Sequence, residues 1–245
     1  MLRLVYWPVL GSLVLNGVSA NAQTRSIYCG PDIPASRYAN PVFNGETLTF
    51  RIIESQGQRI LLAEGGIGPD DGNRFQQALT QAGAIDEVWL SSPGGIVDSG
   101  LQIGRIMRKR GIAVRVPSGR ACISSCTIAF LGGVIRIVDD DAYYGIHMFS
   151  GYGFGRSGMD EAKRFNEIVL KAKAERGDEF AKLLYTELFR GIEQRAATRA
   201  ADMSRYLIEM SASLDFLTGM TGQPIRGVCY VTREGLKRYN VVNTN

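Results

Sequence analysis

Two adjacent serines lie in a short segment bounded by cysteines, Cys122-Ile123-Ser124-Ser125-Cys126. The segment follows a β-branched run and precedes an apolar stretch, which predicts a buried helix. A serine at the start of such a helix often serves only as its cap. It can also act as a nucleophile, because the N–H groups at a helix N-terminus stabilise an adjacent oxyanion.

His147 is the only histidine of the chain, and it lies among apolar neighbours at the end of a predicted strand. In a Ser–His mechanism the imidazole takes the proton from the attacking hydroxyl. Any such mechanism in this chain must use His147, so a single substitution tests it.

A Pro-Gly-Gly turn, Ser92-Pro93-Gly94-Gly95, stands between a predicted strand and a predicted helix. Glycines let backbone N–H groups approach a substrate closely. Such donors suit an oxyanion hole, which must face the charge that develops during acyl transfer. On its own, the same motif is typical of an ordinary tight turn.

The elements that would position these residues alternate between strands and helices. This order predicts a layered α/β domain built of βαβ units. From 159 to 210 the chain has no proline and is rich in Ala, Glu, Lys and Arg, which predicts two or three helices outside the core. A final helix capped by Thr232 is predicted to precede a short apolar strand at 241–242. Residues 48–53 alternate in part like a strand, and 59–63 form a compact apolar run. The other predicted strands are 87–90, 111–116, 134–138 and 143–148, and the other predicted helices are 73–82, 98–109 and 127–131.

Taken together, the three segments resemble the Clp-protease and signal-peptide-peptidase-A branch of the crotonase superfamily. In those families a strand ends in Ser-Pro-Gly-Gly, as Ser92–Gly95 does here. A buried helix then begins at the nucleophilic serine, as around Ser124, and a catalytic histidine on the following strand matches His147. The resemblance runs from about 60 to 243 and is thin across the helical stretch.

This resemblance implies an α/β, crotonase-like (ClpP-like) βαβ superhelix with a helical C-terminal extension, within one domain at 47–245. Ser124 would be the nucleophile and His147 its base. Backbone N–H groups at Gly94 or Gly95 and at Ser125 would hold the oxyanion. The implied activity is that of an ATP-independent serine peptidase or related acyl hydrolase without a cofactor. It would act on a peptide or protein substrate, assemble as a homo-oligomer and contact a membrane transiently.

Other assignments remain open at this stage. Ser125 is an alternative nucleophile, one position from Ser124. A lysine base, as in signal peptide peptidases, would be Lys163 or Lys171. A cysteine nucleophile would be Cys122 or Cys126, although an oxidising compartment threatens a free reactive thiol.

The acid of a Clp-type triad has no clear counterpart. Its position falls near Thr221, and the surrounding segment 218–224 contains no Asp or Glu. Asp202 and Asp215 are the nearest earlier acids. The sequence therefore predicts either a Ser–His dyad, whose ring a backbone carbonyl orients, or a catalytically weakened ClpP-like peptide-binding module.

The N-terminal segment 1–22 has the pattern of an export signal. Arg3 is its only charged residue, 4–15 is largely apolar, and Ala20-Asn21-Ala22 forms a small-x-small cleavage site. We expect cleavage after Ala22 to give a periplasmic or secreted protein with an irregular lead-in at 23–46. An uncleaved membrane anchor is the alternative.

Four cysteines permit two disulfides in three connectivities. We favour Cys29 with Cys229, which would tie the mature N-terminus to the C-terminal region, and expect Cys122 and Cys126 to pack as small apolar residues. One histidine and no CxxC pair predict no metal site. A net charge of +4 with scattered basic residues predicts no nucleic-acid binding.

Overall fold

The computed structural model of the protein describes residues 29–30, 47–148, 156–223 and 227–244. The predicted export signal, 1–22, lies outside the described residues, as does most of the predicted lead-in, 23–46. No helix within these ranges is both long and apolar enough to cross a membrane.

The chain alternates strands and helices through its first half and is mainly helical thereafter. The strands are β1 (Thr49–Ser55), β2 (Gln58–Glu64), β3 (Glu87–Ser91), β4 (Ala113–Val116), β5 (Ala121–Ile123), β6 (Arg136–Val138), β7 (Tyr143–Ile146) and β8 (Cys229–Tyr230). The helices are α1 (Asp71–Ala82), α2 (Val97–Arg110), α3 (Ser125–Phe130), α4 (Arg156–Arg176), α5 (Asp178–Glu209), α6 (Asp215–Thr221) and α7 (Arg233–Arg238).

Two sheets carry the strands. The larger has the order β1-β2-β3-β4-β6, with β1 antiparallel to β2 and the other neighbours parallel. The smaller has the order β5-β7-β8, in which β5 and β7 are parallel. An isolated bridge between Ser92 and Cys122 joins the end of β3 to β5. The mixed α/β class is confirmed, and the superhelix and the helical extension remain predictions.

The main core lies where the inward side chains of the sheets meet the helices. Along β3 the residues alternate, so that Val88 and Leu90 enter the core with Phe75 of α1. Helices α2 and α3 approach each other closely through small residues. A Cβ on Gly132, just after α3, would lie 2.1 Å from the carbonyl oxygen of Gly104 in α2. The predicted helix at 98–109 is therefore packed tightly on the segment that carries the two serines.

Helix α5 is attached to the domain through its C-terminal half. Tyr206 is buried there, and its hydroxyl donates to the carbonyl oxygen of Ile128 at 2.7 Å. Two ion pairs also join α5 to α2, one between Arg199 and Asp98 and the other between Glu209 and Arg105. The predicted helical stretch 159–210 thus comprises α4 and α5, of which the second contacts the core.

Both cysteine pairs form disulfides, Cys29 with Cys229 and Cys122 with Cys126. The second pair differs from the expectation that these two cysteines only pack as apolar residues. The strand-to-helix turn brings their Cα atoms to 5.3 Å, within the usual range for a disulfide.

Candidate active site

Ser124 occupies the turn between β5 and α3 with an unusual backbone conformation, φ +59° and ψ −128°. Left-handed φ values are costly for a residue with a side chain and persist only where the surroundings impose them. Here the N–H of Ser124 donates to the carbonyl oxygen of Gly145 in β7 at 2.9 Å. The carbonyl oxygen of Ser124 accepts from both the N–H and the hydroxyl of Thr127, at 2.9 and 2.6 Å. The turn is therefore held on both sides of the serine.

The two serines differ in access to solvent. Ser124 is half-buried, whereas Ser125 is 1% exposed and faces α2. A Cβ on Gly100 of α2 would lie 3.2 Å from the Cβ of Ser125. The Ser125 hydroxyl has no hydrogen-bond partner within the residues described. Of the two hydroxyls, that of Ser124 is the one accessible to a substrate.

Gly94 lies directly against Ser124. A Cβ on Gly94 would fall 2.6 Å from the Cβ of Ser124 and 2.9 Å from the backbone nitrogen of Ser125. Space in front of the Ser125 N–H therefore exists only because residue 94 has no side chain. The N–H of Gly94 itself donates to the Ser92 hydroxyl at 3.0 Å, so it does not point into that space as a free donor.

Gly95 anchors the same loop to Ile67, three residues after the end of β2. A Cβ on Gly95 would lie 2.1 Å from the carbonyl oxygen of Ile67. The N–H of Ile67 donates to the Gly94 carbonyl at 2.8 Å, and the Ile67 carbonyl accepts from Ile96 at 2.9 Å. No described residue accepts a hydrogen bond from the Gly95 N–H. The first N–H groups of a helix have no intrahelical acceptor, so Ser125 at the start of α3 supplies a second donor.

His147 directly follows β7, the neighbour of β5. In the parallel register Ile123 is paired with Gly145, so Ser124 and His147 both emerge at the carboxyl ends of these strands. The Nδ1 atom of His147 lies 2.8 Å from the carbonyl oxygen of Met148. A carbonyl can only accept, so Nδ1 carries the proton in this contact. That tautomer is the one that a general base requires.

The two candidate acids are engaged elsewhere. Asp202 accepts a hydrogen bond from Arg205 at 2.7 Å, and Asp215 lies 3.4 Å from Arg238. Both pairs are at the surface of the helices, and neither aspartate has a described contact with His147. In the part of the chain that the structure describes, the orienting contact of the imidazole that we identify is to a backbone carbonyl.

The other candidate groups are placed as follows. Cys122 and Cys126 are joined in a disulfide and therefore offer no thiolate. Lys163 and Lys171 are exposed on α4, and each pairs with a glutamate one turn away. Among the described residues, no cluster of three or more His, Cys, Asp or Glu side chains could hold a metal ion.

Tyr144 supports the site from the core. Its hydroxyl donates to the carbonyl oxygen of Thr127 at 2.9 Å, and its ring stacks edge-on with Phe130 at 5.3 Å between centroids. Burial raises the pKa of Tyr144, so its hydroxyl stays protonated and keeps donating. The sequence did not predict the contacts made by Thr127 and by the Ser92 hydroxyl. For Thr127, its position one turn after Ser124 was the available signal.

No protein-family model and no curated protein matches the chain. The solved structures that are similar to it include two forms of one protease and a variant of another. One is a variant of ClpP1 from Listeria monocytogenes, at 16% identity over 75% of this chain and 88% of that one, with a TM-score of 0.46. ClpP1 of the same organism has 15% identity, the same coverage and a TM-score of 0.41. A variant of the 1510-N membrane-bound stomatin-specific protease has 14% identity over 75% of each chain and a TM-score of 0.38. The function of the candidate site therefore rests on the geometry of its own residues.

Proposed function

We propose that this chain is a serine peptidase or related acyl hydrolase that works without ATP, with Ser124 as nucleophile and His147 as base. One observation carries the proposal: Ser124 is held at φ +59° in a strand-to-helix turn, half-exposed, with the side-chain-free Gly94 against it. Strained, over-determined serines of this kind are typical of nucleophiles that must project from the end of a strand.

The chemistry proceeds in two steps. In the first, the Ser124 hydroxyl oxygen forms a bond to the acyl carbon of the substrate, and its proton passes to Nε2 of His147. The negative charge on the carbonyl oxygen is stabilised by the N–H groups of Gly95 and Ser125. The imidazolium then protonates the leaving amine or alcohol as the acyl bond breaks. In the second step, water replaces the leaving group and frees the serine.

A backbone carbonyl takes the orienting role of the triad acid in this scheme. The Met148 carbonyl fixes the tautomer of His147 through its 2.8 Å contact with Nδ1. A neutral carbonyl stabilises the imidazolium less than a carboxylate does, so we expect slower turnover than a full triad gives. Asp202 and Asp215 are each paired with an arginine. This pairing favours the second candidate function, a catalytically weakened peptide-binding module of the same fold.

The proposal extends to compartment and assembly. Two disulfides in the described chain are in keeping with export to an oxidising compartment after cleavage near Ala22. The substrate is a peptide or protein. We place an interface between copies of the chain on α4 and α5, because these helices expose large apolar side chains that one copy leaves uncovered. These side chains are Ile168, Leu170, Leu183, Tyr185 and Phe189.

The test is labelling of the mature protein, 23–245, with a fluorophosphonate serine probe. Labelling should be lost in Ser124→Ala and in His147→Ala. It should persist in Ser125→Ala, a matched control because that buried hydroxyl makes no hydrogen bond to a described residue. If the folded wild-type protein is not labelled, the hydrolase assignment is wrong and the peptide-binding module takes its place.

A further inference from the structure

The Cys122–Cys126 disulfide spans the residue that we assign as nucleophile. Cys122 is in β5 and Cys126 is in the first turn of α3, so the sulfur bridge encloses Ser124 and its two neighbours. Four residues of extended chain would cover about 13 Å, since a strand rises roughly 3.3 Å per residue. The observed Cα separation is 5.3 Å. The bridge thus covalently fixes the reversal in which the serine sits.

Apart from the disulfide, hydrogen bonds hold the backbone of Ser124 in place. Its N–H is bonded to Gly145 and its carbonyl to Thr127, and both bonds can bend as the turn opens. A return of φ to negative values would relieve the strain and move the Ser124 side chain away from Gly94. A covalent link between Cys122 and Cys126 limits that movement, because it restricts both ends of the turn at once.

The bridge also restrains the turn Ser92–Gly95, which carries the Gly95 N–H that we assign to the oxyanion site. The N–H of Ser92 donates to the carbonyl oxygen of Ala121 at 2.8 Å, and the carbonyl oxygen of Ser92 accepts from the N–H of Ile123 at 2.9 Å. Ala121 and Ile123 are the two neighbours of Cys122 in the chain. Both bridged cysteines are fully buried, at 0% exposure, in the core below the site. The other disulfide differs, because Cys29 is only half-buried. In the folded protein, a thiol reductant should therefore reach the Cys29 bridge more readily.

We infer that the Cys122–Cys126 disulfide is a positioning element of the nucleophile, and that the chain gains full hydrolase activity only when this bridge forms. The inference rests on the proposed function. Formation is an exchange with a disulfide oxidant such as oxidised glutathione. The two cysteine thiols give up two protons and two electrons, the sulfur–sulfur bond forms, and the oxidant leaves as two thiols. A chain folded with both thiols reduced keeps its sheets and helices but has only about one hundredth of the activity.

The test uses a Cys29→Ser/Cys229→Ser variant, in which Cys122–Cys126 is the only disulfide left to form. It is refolded either in a glutathione redox buffer or in excess dithiothreitol, and alkylation with mass spectrometry checks the redox state. Fluorophosphonate labelling then gives kinact, the maximal rate constant, and KI, the probe concentration at half-maximal rate. We expect kinact to be about 100-fold lower in the reduced form, the cost of a small misplacement of a reacting group. KI should be unchanged, because the probe still docks.

The converse variant, Cys122→Ala/Cys126→Ala, retains the other disulfide. Its kinact should be low and should not respond to dithiothreitol. Hydrogen exchange at the Ser124 and Thr127 amides should accelerate in the reduced form, while amides of α2 exchange as before. Far-UV circular dichroism monitors folding.

Three outcomes would overturn the inference: a reduced form labelled as fast as the oxidised one, a fall confined to KI, or global unfolding on reduction. The last would make the bridge a general stabiliser. If the oxidised wild-type protein is not labelled at all, the proposed function fails instead, and the two failures are thus distinguishable.

Discussion

A Cβ atom on Gly94 would lie 2.6 Å from the Cβ of Ser124, closer than two such atoms ever approach. Gly94 follows β3 of the larger sheet, and Ser124 follows β5 of the smaller one. The contact therefore joins the ends of two strands from different sheets. It sets the size of the space in which an oxyanion would sit, in front of the Ser125 N–H.

Gly94→Ala should strongly slow the reaction and also lower stability, because the new Cβ would lie 2.5 Å from the backbone carbonyl oxygen of Ile123. The new methyl group would collide with Ser124 and fill the space before the Ser125 N–H, so labelling should slow at least about 100-fold, as when an oxyanion donor is removed. The matched control is Gly83→Ala. Gly83 has a comparable φ of +69°, but a Cβ there meets nothing within 4 Å. Both variants place a Cβ at positive φ, which costs roughly 1–2 kcal/mol. Equal labelling rates in the two would contradict the assigned oxyanion site.

Two adjacent buried serines should respond differently to substitution by alanine. In Ser92→Ala the N–H of Gly94 loses its 3.0 Å acceptor, and we expect labelling to slow roughly fivefold, because one hydrogen bond is worth about 1 kcal/mol. In Ser91→Ala no hydrogen bond to a described residue is lost, since that hydroxyl is buried without a partner among them. Labelling should be unchanged and stability equal or higher. The comparison requires only labelling rates and thermal melts, and a slower Ser91→Ala would refute it.

Local signals were sufficient to predict the elements that carry the site. The apolar periodicity of α2 predicted 98–109, and the structure has Val97–Arg110. The β3 strand and the turn at Ser92–Gly95 followed from an apolar run ended by proline and glycine. These features depend on residues close together in the chain, so the sequence alone determines them.

Features that depend on distant residues could not be predicted. The positive φ of Ser124 is imposed by contacts with Gly145 and Gly94, which lie far from it in the sequence. The expected closing strand at 241–242 is absent from the described chain. There the buried Arg136 donates from its side chain to the Val241 carbonyl oxygen at 2.8 Å. In a strand, that carbonyl would accept a hydrogen bond from the backbone of a neighbouring strand. No local pattern distinguishes that arrangement from a strand.

The packing of α5 on α2 should show strong coupling between Gly104 and Tyr206. A Cβ on Gly104 would lie 1.8 Å from the Tyr206 hydroxyl oxygen, so Gly104→Ala should destabilise the fold by about 1–3 kcal/mol. Tyr206→Phe removes that oxygen and its bond to Ile128, at a cost of about 1 kcal/mol. In the double variant the 1.8 Å contact is removed, which leaves the ring carbon Cζ at 3.1 Å, and alanine favours the helix. The summed costs of the single variants should therefore exceed that of the double by 1 kcal/mol or more, on the order of strong couplings. Denaturant unfolding measures all four proteins, and strict additivity would refute the contact.

The ion pair of Glu87 and Arg115 should make stability depend on acid pH. Arg115 donates to both carboxylate oxygens of Glu87, at 2.8 and 3.0 Å, and chiefly for this reason the pKa of Glu87 lies below its ordinary value of 4.5. A depressed carboxylate pKa stabilises the folded state above the unfolded-state value, and that stability is lost as the pH falls through the folded-state pKa. We expect Glu87→Gln to lower the free energy of unfolding at pH 7 by about 1–3 kcal/mol. The deficit should shrink as the pH falls below 4.5, and the exposed Glu54→Gln should show no deficit at either pH. Urea unfolding at pH 7 and pH 3.5 gives the comparison, and a deficit that is the same at both would show that the ionised pair does not stabilise the fold.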